Sequence, residues 1–287
     1  MIWFLFSIVT ALAVAAQDVV SKRGLRHTNE YLIAWASRFF ALILLLPLLL
    51  IDGIPQIGDQ FVLALVVSGI LNVIVTILYL KAIKHSPLSL ASPMLTMTPL
   101  FLLITSPLII GELPGWLGIG GIVFIVVGSY FLNIKKIQSG FLGPFKALFK
   151  EKGVRYMLGV AAIWSITANF DKIGIQNSSV IFWPVAAYLV VAAILTPIML
   201  VKARKDLYQI KERIGTILPI GLLWGVMIIF QMAAVNLTLV VYVISIKRTS
   251  AIFSVLGGIL FFREKGLKER LLGAMFMMIG VILIAFD

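Results

Sequence analysis

Ten apolar stretches, at residues 2–21, 31–51, 61–80, 88–110, 116–134, 154–175, 181–201, 214–235, 239–262 and 267–286, are each about long enough to cross a lipid bilayer. A helix needs roughly 20 residues at about 1.5 Å rise each to span a hydrocarbon core of ~30 Å. Inside that core every backbone N–H and C=O must be paired by the protein itself, which leaves helices or a closed barrel. The runs show no period-two alternation and are too long for barrel strands, so they are read as helices. With 61% hydrophobic and only 13% charged residues, the chain has more apolar surface than a soluble domain can hide. The expected fold is an all-α integral membrane protein of ten transmembrane helices.

The first run lacks the basic flank of a signal peptide and exceeds its usual apolar length, so it is read as a mature helix. The absence of cysteine excludes disulfides, thiolate metal sites and cysteine nucleophiles. A formal charge of +12 would suggest nucleic acid in a soluble protein, but here its placement speaks for topology. All 24 Lys and Arg residues except Arg38, Lys172, Lys247 and Arg248 fall in alternate connections: 22–26, 81–84, 135–155, 202–213 and 263–270. The positive-inside rule puts those connections in the cytoplasm and both termini outside. The other connections hold only Lys172, beside Asp52, Asp59 and Glu112.

The second five runs echo the first five. A shift of 150 lays Lys22-Arg23-Gly24-Leu25 on Lys172-Ile173-Gly174-Ile175, Arg38 on Tyr188 and Pro47 on Pro197. From the third run a shift of 152 matches Ala82 with Ala234, Glu112 with Glu264, Gly121 with Gly273 and Gly128 with Gly280. A constant offset through a helix–loop–helix run marks an internal repeat. The reading is residues 1–134 as a first five-helix repeat, 135–153 as a cytoplasmic linker and 154–287 as a second five-helix repeat. Duplicating an odd number of spans forces the copies into opposite orientations, which is how many alternating-access carriers are built.

These features resemble the EamA-type proteins of the drug/metabolite transporter superfamily over essentially the whole chain. The resemblance rests on Trp35-Ala36-Ser37-Arg38-Phe39, the run Ala82…Ser86-Pro87…Ala91-Ser92-Pro93…Pro99, and the Gly111-Glu112 turn. Second-half counterparts are Ser250-Ala251-Ile252-Phe253 and Phe261-Phe262-Arg263-Glu264-Lys265. It implies a central cavity walled by helices 1–4 and 6–9, with helices 5 and 10 peripheral.

Polar side chains in hydrocarbon need a partner or water, so they should face inward. Helix one offers Thr10, Gln17 and Ser21 on one face; helix six offers Trp164, Thr167 and Asp171 at the equivalent places. Helix three carries Asn72, Thr76 and Tyr79, with Trp224 and Gln231 as helix-eight counterparts, and helix four carries Ser89, Ser92 and Thr96. Individually such residues can equally bond their own helix carbonyls or glue helices together. Pro87, Pro93, Pro99 and Pro107 should bend helix four, shaping either a gate or a fixed packing. The Gly221-x-x-x-Gly225 spacing and the Gly257-Gly258 pair should allow close helix contact.

Lys247-Arg248 is the sharpest feature, expected near the middle of helix nine. Each cation at that depth costs about 2.5–3.5 kcal/mol on insertion scales, so an aqueous cavity, an anion or a carboxylate such as Asp18 or Asp171 should meet it. A guanidinium can grip a carboxylate or phosphate bidentately, while the ammonium acts as a point charge. The pair resembles the Lys-Arg dyad that holds substrate phosphate on the ninth helix of the plastidic triose-phosphate translocators. The repeat-related positions Leu95 and Thr96 carry no lysine, which separates this chain from phosphate recognition.

The expected substrate-binding set is therefore Lys247, Arg248, Gln17, Tyr79, Thr96, Trp164, Trp224 and Gln231. Arg38 is expected to pair with Asp18 as a conformational lock; Asp18 and Asp171 are the carboxylates deep enough to carry a coupling proton. Glu112 and Glu264 read as helix caps. His27 and His85 stand apart in loops, so no metal is expected, and no cofactor. The function expected is an alternating-access exporter or exchanger of a small anionic or zwitterionic metabolite, such as an amino acid or organic acid, in the plasma or inner membrane. A flippase for a lipid or lipid-linked sugar phosphate is the alternative, distinguished by a lateral opening between helices. The sequence has no His-Glu-x-x-His or Gly-x-Ser-x-Gly motif and no mid-membrane carboxylate pair, so it reads as no enzyme. Expected partners are a small-molecule substrate and the bilayer, not nucleic acid; pairing into a homodimer stays open.

Overall fold

The computed structural model describes residues 1–24, 28–85, 92–133, 151–253 and 267–287, and among them every regular element is helical. In chain order these are α1 (Ile2–Gly24), α2 (Glu30–Asp52), α3 (Phe61–His85), a 3₁₀ segment (Ser92–Met97) running into α4 (Thr98–Ile110), and α5 (Trp116–Asn133). They continue as α6 (Lys152–Gln176), α7 (Phe182–Ala203), a 3₁₀ turn (Arg204–Asp206) and a five-residue helix (Tyr208–Glu212), α8 (Ile214–Leu237), α9 (Val240–Lys247) and α10 (Leu267–Ala285). Four of these regions, at Glu30–Asp52, Phe61–Tyr79, Phe182–Asp206 and Ile214–Leu237, are long and apolar enough to cross a membrane.

Local chemistry sets the ends. Asn29 caps α2 by accepting the Tyr31 N–H at 3.0 Å, satisfying a donor the first helical turn cannot. The same helix stops at Gly53, whose φ of 82° is open to glycine, with its N–H on Leu49 O at 2.8 Å. Gly111 ends α4 in the left-handed region at φ 71°.

Two helices depart from the expected spans. Helix four is not one α-helix: its described part winds as 3₁₀ through Met97 and turns α-helical at Thr98, with Pro99 in the first turn, where its missing N–H costs nothing. Helix nine ends at Lys247. The Arg248 N–H points to both Ile244 O at 3.3 Å and Ser245 O at 3.0 Å, a tightened last turn, before helical backbone resumes at Ser250. Lys247-Arg248 thus sits where α9 gives way to a turn, with cations complementing the helix dipole, inside an expected span whose residues 254–262 lie outside the described ones.

Packing runs mainly between early and late helices. α1 lies on α8 and α9, α3 on α6 and α7, α2 on α7 and α8, α4 on α6 and α9, and α5 on α10. Small residues allow the approach. A Cβ on Gly121 would strike the Gly280 carbonyl and one on Gly128 the Gly273 carbonyl, so α5 and α10 meet backbone to backbone, antiparallel. Gly221 admits Phe40 and Gly225 admits Leu44, as the spacing suggests; Gly69 likewise admits Val190. Gly257-Gly258 lies outside the described residues. Buried Trp183, Leu102, Ile122, Ile125 and Met232 form the centre of the core, while Leu50, Leu108, Trp116 and Val201 leave the exterior apolar. An exterior of that kind suits lipid.

Candidate functional site

Five residues of the expected set converge. Lys247 Nζ donates to Gln231 Oε1 at 2.6 Å, joining α9 to α8. Arg248 Nη2 donates to Thr98 Oγ1 at 2.8 Å and its guanidinium carbon lies 5.9 Å from the Trp164 ring centroid, linking α4 and α6. Trp164 in turn stands 6.5 Å from Tyr79 of α3, tilted by 37°. Cations, a neutral amide, a hydroxyl and two aromatic faces from α3, α4, α6, α8 and the end of α9 therefore share one locality. That set of groups can hold the anionic end of a solute through Lys and Arg while an apolar body rests on the rings.

Thr98, two residues beyond the expected Thr96, is the hydroxyl that Arg248 meets. On a straight α-helix the two are about 200° apart and face opposite ways. The 3₁₀ segment ends at Met97, directly before Thr98. Thr96 is itself buried. Gln17 is half-buried on α1, without a hydrogen bond to the described residues.

Trp224 belongs to a second cluster. The Arg38 guanidinium lies over its ring, 3.9 Å from the centroid, and 5.1 Å from the Tyr188 centroid. The expected Arg38–Asp18 pairing falls on a side chain, that of Asp18, outside the described residues; among the described residues the guanidinium meets this aromatic pair. Planar guanidinium stacks on aromatic faces well, and the sequence offset that lays Arg38 on Tyr188 was the available signal. Asp171 Oδ1 accepts from Ser68 Oγ at 2.9 Å and from Trp183 Nε1 at 3.2 Å. It is close enough to Lys247 and Arg38 to feel both charges, so it connects the two clusters electrostatically.

The polar stripe of helices one and three turns out mostly to serve its own helices. Thr10 donates to Phe6 O, Asn72 to Ser68 O and Thr76 to Asn72 O, each near 2.9 Å. Glu112 was expected to cap a local helix. It caps α9 instead, accepting the Val240 N–H at 2.9 Å, and forms an ion pair with Lys172. Lys172, expected in a loop, is a buried residue of α6 that also donates to Thr238 O at 2.8 Å.

Other ties gather at the same end of the bundle. Ser179 donates to Asp52 at 2.9 Å, the Gly58 N–H to Asn177 O at 2.9 Å, and the Gly115 N–H to Asp287 at 3.0 Å. Burial alone would raise the Asp287 carboxyl, but hydrogen bonds from Tyr242 and from the Gly118, Gly115 and Leu117 backbone hold it below the usual range.

The family model and the curated relatives make this helical, lipid-compatible bundle a membrane transporter. The chain belongs to the EamA-like transporter family, whose model matches residues 1–134 and 151–286. A protein of Archaeoglobus fulgidus named "Uncharacterized transporter" is 26% identical over 294 residues, covering 99% of this chain and 98% of its own. A Clostridium kluyveri protein of the same name is 32% identical over 128 residues, 43% of this chain and 41% of its own. A crystal structure at 13% identity superposes with a TM-score of 0.76 over 99% of this chain and 97% of its own, a likeness of fold.

Proposed function

We propose that this transporter moves a small anionic or zwitterionic organic metabolite by alternating access between two inverted five-helix repeats. The contacts support that symmetry because they survive exchange of the halves. Under the sequence offsets Gly121 corresponds to Gly273 and Gly128 to Gly280, and the close approaches are Gly121 to Gly280 and Gly128 to Gly273. Gly69 corresponds to Gly221 and Phe40 to Val190; the approaches are Gly69 to Val190 and Gly221 to Phe40. Such reciprocal pairs, with α5 and α10 meeting antiparallel, are what a two-fold axis in the membrane plane produces. Ten crossings, basic connections in the cytoplasm, termini outside and residence in the cell's plasma or inner membrane complete the reading.

The observation that carries the substrate class is the Lys247–Gln231 and Arg248–Thr98 arrangement beside Trp164 and Tyr79. Ionisable groups within a membrane span are costly and mark substrate paths, and a cation pair there favours an anionic group on the cargo. The Glu112–Lys172 tie and its neighbours hold together the end that topology places outside, which fits a state closed to the exterior.

Lys247→Ala and Arg248→Ala should each reduce uptake of an anionic test solute into proteoliposomes to the level of protein-free vesicles. Membrane insertion and the melting temperature should stay near wild type. Wild-type uptake in both variants would reject the binding role.

A further inference from the structure

The Arg38 guanidinium has an open donor. Its Nη1 is shielded from solvent and meets no acceptor among the described residues, although a buried, unused N–H to a charged group is worth recovering. The nearby carboxylate does not take it: Asp171 is held on Ser68 and Trp183 and forms no ion pair with Arg38. The rings of Trp224 and Tyr188 occupy the face of the guanidinium and leave its in-plane N–H edge for an oxyanion such as a carboxylate. Arg38 also touches the residue that corresponds to it in the other repeat, Tyr188. A residue and its own counterpart can meet only beside the symmetry axis, which is where carriers of inverted repeats hold their cargo.

We propose that Arg38 is a second carboxylate-recognition point, so that the cargo is a dicarboxylate with one group at Lys247-Arg248 and the other at Arg38. The inference rests on the anion-binding reading of the Lys247-Arg248 locality. The two poles are tied to one helix: Gln231, bonded to Lys247, and Trp224, stacked on Arg38, lie seven residues apart on α8. Seven residues rise about 10 Å along the helix axis, the scale of a short-chain dicarboxylate with a hydrogen bond at each end.

Titration calorimetry of the purified full-length protein with glutarate and with valerate, five-carbon acids carrying two carboxylates and one, tests this. Wild type should bind glutarate about tenfold to a hundredfold more tightly than valerate. Arg38→Gln should remove that preference while leaving valerate affinity unchanged, and Arg38→Lys, which keeps charge and bulk without the fork, should remove most of it. Lys247→Ala should weaken both acids. A preference that survives in Arg38→Gln overturns the proposal, as does an equal loss of both acids in that variant, which would mark Arg38 as a structural strut. Equal wild-type affinities overturn it too, yet leave the anion site standing if Lys247→Ala weakens both. Wild type binding neither acid overturns the anion site and the proposal together.

Discussion

Lys172 shows what one buried cation can organise. Its ammonium meets Glu112 and the Thr238 carbonyl, and the other oxygen of Glu112 takes the Val240 N–H, so three chain segments are pinned at one point. The side chains of the pair are only 10% and 14% exposed. Removing one partner of such a pair strands the other charge, at a cost of about 3–5 kcal/mol, whereas replacing both can be close to neutral. Glu112→Gln should therefore lower the melting temperature of the purified protein by several degrees, and Lys172→Met should do likewise. The double variant should recover much of the loss. A strictly additive double variant would show that the two side chains do not stabilise each other. The pair was invisible to local spacing, because its members lie 60 residues apart and Glu112 carries a plausible role as a cap within its own turn.

At the scale of elements, boundaries set by caps and composition were legible while those set by tertiary contact were not. Helix two was expected at 31–51 and runs Glu30–Asp52, because Asn29 and Gly53 mark its ends in any surroundings. Helix eight was expected at 214–235 and runs Ile214–Leu237. The change of winding falls just before Pro99, a residue expected to bend the helix, while the stop at Lys247 has no local marker. Hence Lys247, Arg248, Gln231, Trp164 and Tyr79 could be grouped from sequence, and the repeat offset pointed from Arg38 to Tyr188, but nothing pointed to Thr98. The α5–α10 contact gives an element-scale prediction. A methyl group at Gly121 would meet the Gly280 carbonyl and the Ile284 backbone, neither of which can turn aside as a side-chain tip can. Gly121→Ala should push α5 and α10 apart and destabilise the protein by about 1–3 kcal/mol, as overpacking generally does. Gly120→Ala, one residue away and with only a methyl of Leu283 near, should be almost silent in the same melting experiment.

For the whole molecule the governing quantity is parity. Gln56 lies between α2 and α3, and Lys205 follows α7, so five helical regions, α3 to α7 with the 3₁₀ segment counted into α4, separate them. If each crosses the bilayer once, an odd number of crossings puts the two positions on opposite sides, whatever the substrate or mechanism. The distribution of lysine and arginine adds the expected sign: the positive-inside rule predicts strongly basic 202–213 in the cytoplasm and 52–60, with Asp52 and Asp59, outside. The chain has no cysteine, so Gln56→Cys and Lys205→Cys each supply the sole thiol, both at exposed positions. A membrane-impermeant maleimide added to intact cells should label the first variant and spare the second until the membrane is permeabilised. Labelling both from outside would break the odd count, and with it the inverted orientation of the halves. Labelling only Lys205→Cys would preserve the count and reverse the direction, which would place the Glu112–Lys172 tie on the cytoplasmic side and make the closed end of this structure the inner one.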